Sequence, residues 1–371
     1  MVGFRKGWFR IYLLPQIFEL MLHNNLMKRS LLLLTGCVLI LLIACSTHPQ
    51  AVTPSVSPSP FQTASSSKTL APTRTQTPLP KPTSTYTVTP EPGFSFVVTS
   101  DMSLYSAREY FDYPNFFAAA LRYVAQFGPG DFMVSLGDIL PAEDTSWTVD
   151  QVLGEDYPWF PLPGNHDFSM AEINFFRNYQ MDINGDQEPN IINWGPESCP
   201  DTTYSFDFQN AHFVALNVYC DEEVPWGIDG SITDTVYDWL AADLDQTQKE
   251  HIFVFGHEPA FPRPDSDTGQ IRHLGDSLDQ YPQARDRFWG LLKDKGVIAY
   301  IHGHTHGYNA EKIDGVWQLN AGQSMGVRAA PSPGTFLIIS VNGSRVNLQT
   351  YRGEEGPGFS YLLRDEISLS K

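Results

Sequence analysis

Five apolar segments of this chain each end in residues able to hold a metal or orient a substrate, and this recurrence constrains the fold more than any single motif. Phe94-Ser95-Phe96-Val97-Val98-Thr99 ends at Ser100-Asp101, and residues 132–136 end at Gly137-Asp138. Residues 157–162 lead into Pro163-Gly164-Asn165-His166-Asp167. Residues 252–255 end at Gly256-His257, and residues 297–301 at His302-Gly303-His304-Thr305-His306. Short apolar runs bounded by turn residues read as buried strands. Helices are predicted over 113–127, stopped by Gly128-Pro129-Gly130, over 235–244 with Trp239 and Leu240 inward, and over 285–295, capped by Gly296. Residues 203–208 and 211–217 predict a hairpin around Gln209-Asn210, and residues 335–341 and 345–351 a second one turning at Asn342-Gly343. Strands alternating with helices place the chain in the α/β class, where sites gather beyond the carboxyl ends of strands.

Asp101, Asp138, Asn165, His257, His304 and His306 form one candidate set. Carboxylate, amide oxygen and imidazole suit a borderline-hard ion such as zinc, manganese or iron, and the absence of cysteine excludes a thiolate site. One carboxylate can bridge two ions, and a hydroxide between them is a nucleophile near neutral pH. Taken singly, each residue has a plainer role as a strand cap or turn former, as Asn165 does in tolerating left-handed backbone. In order, each after its own strand, the set points to a metal centre.

The ordered run resembles the calcineurin-like metallophosphoesterases. The matching motifs stand here as Asp101, Gly137-Asp138, Gly164-Asn165-His166-Asp167, Gly256-His257 and Gly303-His304-Thr305-His306, across about residues 94–320. The resemblance implies a four-layer αββα sandwich with the site at the sheet edges. It implies that Asp138 bridges two metal ions, that Asp101 and His306 hold the first, and that Asn165, His257 and His304 hold the second. His166 would bind the phosphate or protonate the leaving oxygen, and Asp167 would orient its loop. The chain departs from the pattern once: where the family has Asp-X-His, it has Asp101-Met102-Ser103. The purple acid phosphatase branch, closest in style, also lacks that histidine but has a tyrosine three residues after the bridging aspartate. Here that residue is Pro141. Ser103, Tyr105, Glu143, Asp144 or water are the candidates to complete the first position.

The chain ahead of this domain reads as targeting sequence and tether. Lys28 and Arg29 precede an apolar run over 31–44, too short to span a membrane, and Leu42-Ile43-Ala44-Cys45 resembles the lipobox of bacterial lipoproteins. The expected organisation is a lipoprotein signal over residues 1–45, with lipid on Cys45, a disordered Ser/Thr/Pro-rich linker over 46–92, and the metallophosphoesterase domain over 93–371. An uncleaved anchor helix is the alternative, and Met1 and Met27 are both possible starts. Of the four cysteines, Cys37 lies in the apolar run, leaving Cys199 and Cys220 for the folded part. Outside the cytoplasm a disulfide between them is favoured over a free buried pair. A formal net charge of -18 repels polyanions, so no nucleic-acid partner is expected.

Several features read as bystanders. His212, His251 and His273 match no motif, although His273 could line the cleft. Phe116, Phe117, Tyr123 and Phe127 have the spacing of a helical core face. Gly322-Gln323-Ser324-Met325-Gly326 fits a serine-hydrolase elbow, but no histidine follows His306 to complete a triad, so it reads as a loop rimming the site. Residues 170–200 are expected to shape the pocket. The leading expectation is an exported, lipid-anchored enzyme that hydrolyses phosphomonoesters or phosphodiesters with a metal-bridging hydroxide, two ions of iron, manganese or zinc, and catalytic His166 and Asp138. The competing one is a non-catalytic or single-metal binding lipoprotein that retains the fold.

Overall fold

Alternation along the strands decides the layering. In β1 (Phe94–Thr99), Phe96 and Val98 enter one apolar cluster while Val97 enters another on the opposite face. In β7 (His251–Phe255), Phe253 and Phe255 join the same cluster as Phe96, whereas Ile252 and Val254 face away from it. Residues alternate across a strand with period two, so each sheet carries an apolar face on both sides and must be covered on both. The computed structural model describes residues 93–114, 116–183, 191–220, 230–325, 332–354 and 360–370. Cys45, the segments at 1–45 and 46–92, and Gly326 lie outside those residues.

Among the described residues one sheet has six strands and the other seven. In the first, β1 lies parallel to β2 (Phe132–Ser135), which lies parallel to β3 (Trp159–Pro161). On its other side β1 runs antiparallel to β11 (Thr335–Asn342), followed by β12 (Arg345–Glu354) and β13 (Ser360–Ser368). In the second sheet, β4 (Ile191–Trp194), β5 (Tyr204–Phe208) and β6 (Ala211–Ala215) precede β7, which pairs in parallel with β8 (Ala299–His302). β10 (Val316–Ala321) and then β9 (Tyr308–Ile313) complete it.

The sheets face each other across an aromatic core in which Phe96, Phe132, Phe206, Phe213 and Phe253 are all buried. Phe96 meets Phe213 and Phe253 edge-on with ring centroids 5.2 Å apart, the favoured geometry for aromatic pairs. The outer face of the first sheet is covered by α1 (Phe117–Phe127), α2 (Ala142–Leu153) and α3 (Met170–Ile183) through residues such as Phe117, Leu121, Val149 and Phe176. The outer face of the second is covered by α4 (Asp234–Gln246) and α5 (Pro282–Asp294) through Val236, Leu240, Phe288 and Leu292. The architecture is therefore α/β with four layers, helix, sheet, sheet, helix. No helix among the described residues is long and apolar enough to cross a membrane.

Three expectations shift. The first helix begins at Phe117 rather than 113, because Phe116 is extended and stacks on Tyr110 at 4.7 Å. On that helix Phe117 is buried, but Phe127 is 38% exposed and lies against Tyr351 at 4.5 Å, so the aromatic stripe is core at one end only. The segment after residue 170 opens with a helix over the first sheet.

Cys199 and Cys220 form a disulfide, with Cα atoms 5.9 Å apart, closing a loop 21 residues long. It staples the chain before β5 to the chain that follows β6. Replacing both cysteines by serine is expected to lower unfolding free energy by about 3 kcal/mol, read from urea denaturation. A change below about 1 kcal/mol would mean that hairpin pairing alone fixes this segment.

Candidate metal centre

β1, β2 and β3 are consecutive and parallel in one sheet, and β7 and β8 in the other, so their carboxyl ends deliver their loops to one place. The loops after β1 and β2 run together: Asp101 N–H donates to Gly137 O at 3.1 Å and Met102 N–H to Asp138 O at 3.1 Å. Within the second sheet, Gly303 N–H donates to His257 O at 3.0 Å, and across the sheets His304 N–H donates to Asp101 Oδ2 at 2.9 Å. Gly303 is required there, since a Cβ would sit 1.8 Å from Ser100 Oγ and 2.4 Å from Asp101 Oδ2.

The backbone is strained where the donors stand. Asp101, Asp138, His304 and His306 all have positive φ, between 53° and 68°. Non-glycine residues avoid this region unless the surroundings impose it, and such strain gathers at functional sites. Asp167 does part of the imposing. Its buried carboxylate accepts from Gly164 N–H at 2.8 Å and Ile139 N–H at 3.0 Å, tying the loop after β3 to the loop after β2.

Asn165, His257 and His304 converge. Asn165 Oδ1 lies 3.2 Å from His257 Nε2 and 3.1 Å from His304 Nδ1, and the two nitrogens are 3.3 Å apart. Asp138 Oδ1 is 3.6 Å from His257 Nε2. An ion with bonds of about 2.0–2.1 Å sets tetrahedral donors about 3.3 Å apart, so the spacing fits a shared ion. The proton on His257 is placed for it as well. His257 Nδ1–H donates to Leu136 O at 2.6 Å, leaving the Nε2 lone pair facing Asn165 and His304. Asp101, Asp138 and His257 are all buried and could share an ion. Asp101 Oδ1 is buried without a hydrogen-bond partner, 3.4 Å from His306 Nε2.

Burial and charge fit the same use. Burial pushes His257 and His304 below the usual histidine range, and burial with the Arg272 guanidinium pushes His306 down to about 3. These rings are neutral at ordinary pH, as a metal ligand must be. Burial, and then Asp138, push the Asp101 carboxyl well above the usual carboxylate range. Two acidic groups facing each other in this way favour a cation between them.

His166 stands at the solvent edge, its side chain 64% exposed and its Nε2 3.9 Å from Asp138 Oδ2, while its backbone N–H donates to Asp138 Oδ1 at 2.9 Å. Ser324, in the elbow-like segment, accepts from Ser100 N–H at 3.2 Å and donates to Thr335 O at 2.8 Å, bracing the end of β1. Of the residues considered for the first position, Ser103 donates its hydroxyl to Asp138 O at 2.9 Å, Asp144 pairs with Arg108 at 2.8 Å, Tyr105 packs on Phe116 and Glu143 is exposed.

The loop between β7 and α5 carries His273, which does line the cleft, and Arg272, which no motif marked. His273 stacks on His304 with centroids 4.1 Å apart, and Arg272 Nη1 donates to His306 Nδ1 at 2.7 Å. A cleft of about 70 Å³ is lined by Asn165, Glu258, His273, Asp276, Gln280 and His304, among others. Most of its described lining comes from this loop, and none of it from residues 170–200. His212 and His251 are structural instead: the first is buried between Asp207 and Asp243, and the second donates to Gly343 O.

Asp265 anchors that loop. It accepts from the N–H groups of Asp267, Thr268 and Tyr308 at 2.8–2.9 Å and pairs with buried Arg352 at 2.8 Å. Burial opposes its charge, yet Arg352 and these donors hold it down at about 2. A depressed carboxylate stabilises the fold above its unfolded value near 3.9, and that contribution is lost as pH falls towards 2. Asp265→Asn is therefore expected to cost about 2 kcal/mol at pH 6 in urea denaturation, with the gap from wild type narrowing by pH 2.5. A gap that is constant with pH would remove the ion pair as its cause.

A four-layer sandwich that gathers carboxylate, amide and imidazole donors at its strand ends defines an α/β protein built around a candidate metal centre. Residues 94–308 match the calcineurin-like phosphoesterase family, and the chain belongs to it. It is 23% identical over 284 residues to an acid phosphatase of Aspergillus ficuum, covering 57% of this chain and 44% of that one. It is 24% identical over 274 residues to purple acid phosphatase 22 of Arabidopsis thaliana, covering 65% and 56% respectively. The chain thus spans about half the length of these curated relatives. Among solved structures it resembles that of PhoD, with a TM-score of 0.51, 15% identity, and 74% of this chain and 69% of that one covered.

Proposed function

We propose that the chain is a metal-dependent hydrolase of small-molecule phosphate esters, monoesters or diesters. The observation that carries this is the convergence of Asn165, His257 and His304 within 3.1–3.3 Å of one another beside Asp138. When bound, a divalent ion there supplies a water-derived nucleophile near neutral pH and neutralises charge on the phosphoryl oxygens. Asn165, His257, His304 and Asp138 would hold it, with Asp101 and His306 beside them. The chain's own residues do the rest. Leu136 O fixes the His257 tautomer, and Asp167 holds the loop that carries Asn165 and His166. His166 faces open solvent beside Asp138, where it reaches the leaving oxygen and gives it a proton. The acid phosphatase activity named for the relatives agrees with this chemistry.

Export, lipid on Cys45 and the tether over 46–92 complete the proposal, supported by the order of charge, apolar run, Ala44-Cys45 and Ser/Thr/Pro-rich tract. The domain would then face outward from the membrane that holds the lipid. Full-length protein in detergent, stripped with a chelator and reloaded with zinc, manganese or iron, is expected to turn over p-nitrophenyl phosphate or its bis ester only after reloading. Bound metal without turnover of either ester, under any of the three ions, would shift the assignment to a binding lipoprotein on an enzyme's fold.

A further inference from the structure

His257 and His306 face one site with their protons placed oppositely. His257 Nδ1–H is spent on Leu136 O, so its Nε2 offers a lone pair to the centre. His306 Nδ1 instead receives Arg272 Nη1 at 2.7 Å. A guanidinium has only donors, so Nδ1 must be the accepting nitrogen, and the neutral ring then carries its proton on Nε2. That nitrogen is the one 3.4 Å from Asp101 Oδ1. A ring in this state has no lone pair left on Nε2 for an ion between it and Asp101. Holding an ion through Nε2 would require a proton on Nδ1, which would point at the N–H of Arg272. The guanidinium and an ion at Nε2 thus exclude each other.

Among the described residues considered for that position, none replaces the lost imidazole. The Ser103 hydroxyl is committed to Asp138 O, and the neutral donor that Asp101 and Asp138 could share, His257, already turns its Nε2 to Asn165 and His304. The position of Arg272 is also built rather than incidental. Its loop is held by Asp265, through backbone N–H groups and Arg352, at one end, and Ser277 donates to His273 O at 3.1 Å at the other.

We propose that Arg272 takes the place of a second ion: the chain holds one ion, at Asn165, His257, His304 and Asp138, and the guanidinium supplies the neighbouring positive charge on which a phosphoryl group rests. This builds on the phosphoesterase reading above. A guanidinium fork carries five N–H donors, so giving one to His306 leaves others for phosphoryl oxygens.

The test counts ions. Full-length protein in detergent is stripped, equilibrated with zinc in metal-free buffer and analysed for elemental content. One zinc per chain is expected for wild type and for His306→Ala. Two are expected for Arg272→Met and Arg272→Ala, in which the His306 proton is free to move to Nδ1. Adding His306→Ala to Arg272→Met is expected to return the count to one. Two zinc ions in wild type, or one in both Arg272 variants, would overturn the exclusion. Orthovanadate, titrated against protein held at one zinc equivalent, reports the charge directly: Arg272→Met is expected to weaken it at least about tenfold, and unchanged affinity would overturn the role. Two zinc ions in wild type with ester turnover sink only the role of Arg272. No zinc and no turnover sink the phosphoesterase reading with it.

Discussion

Turnover of p-nitrophenyl phosphate by His304→Ala is expected to fall at least about 100-fold, with loss of bound metal, while the metal-free fold keeps its stability. His304 reaches the centre with Nδ1, 3.1 Å from Asn165 Oδ1 and 3.3 Å from His257 Nε2. Its other nitrogen is buried without a hydrogen-bond partner. A desolvated polar ring left in that state contributes little to the metal-free protein, so cavity cost and relief of the unpartnered nitrogen oppose each other. The expected change in metal-free unfolding free energy is within about 1 kcal/mol. Bound ion stabilises the native state by mass action, and that increment should vanish in the variant. His304→Gly separates the remaining strain, because the residue sits at φ 68°. Glycine there should be more stable than alanine by about 1 kcal/mol. Retained turnover in His304→Ala would remove this residue from the centre, and a collapse of the metal-free fold would make it structural.

Much of this centre was legible because strand order and strand ends are local properties. Asp101, Asp138, Asn165, His257, His304 and His306 each follow an apolar run, and the ends of β1, β2, β3, β7 and β8 come together because parallel neighbours share a direction. The layer count was legible only through resemblance, since the two-faced burial of Val97 against Phe96 needs both sheets in place. Other parts left weaker signals. The hairpin of β9 and β10 turns at Asp314-Gly315, both at positive φ, which is the Asp-Gly signature between paired strands. That signal stands in the sequence a few residues after the His-rich motif. Helix α2 carries few apolar residues, and its place over β2 follows from tertiary packing. Arg272 is the instructive omission. Nothing in its immediate sequence marks it, because its contact with His306 spans 34 residues and depends on how Asp265 pins the loop to β12.

Gly164→Ala is expected to damage fold and site together, because β2 and β3 deliver their loops closer than any side chain allows. A Cβ on Gly164 would lie 2.3 Å from Asp138 Oδ1, 2.4 Å from Asp138 N and 2.8 Å from His257 Cε1. Backbone cannot yield as a flexible side chain can, so the methyl must push apart the loops that hold Asp138, Asn165 and His257. The partner glycine obeys the same geometry: Gly137 is at φ 94°, and its Cβ would stand 2.4 Å from Gly164 N. Overpacking against backbone with displacement of a hydrogen-bonded carboxylate belongs to the severe class of substitutions, and a loss above about 3 kcal/mol is expected in urea denaturation. Metal binding should fail even where the variant stays folded, since Asp138 and Asn165 can no longer keep their spacing from His257. Gly290→Ala supplies the control. Gly290 lies within helix α5 with nothing within 4 Å of its Cβ direction, so alanine there should stabilise by about 0.5–1 kcal/mol. If Gly164→Ala behaved like Gly290→Ala, the close crossing of the two loops, and with it the placement of Asp138 against His257, would have to be abandoned.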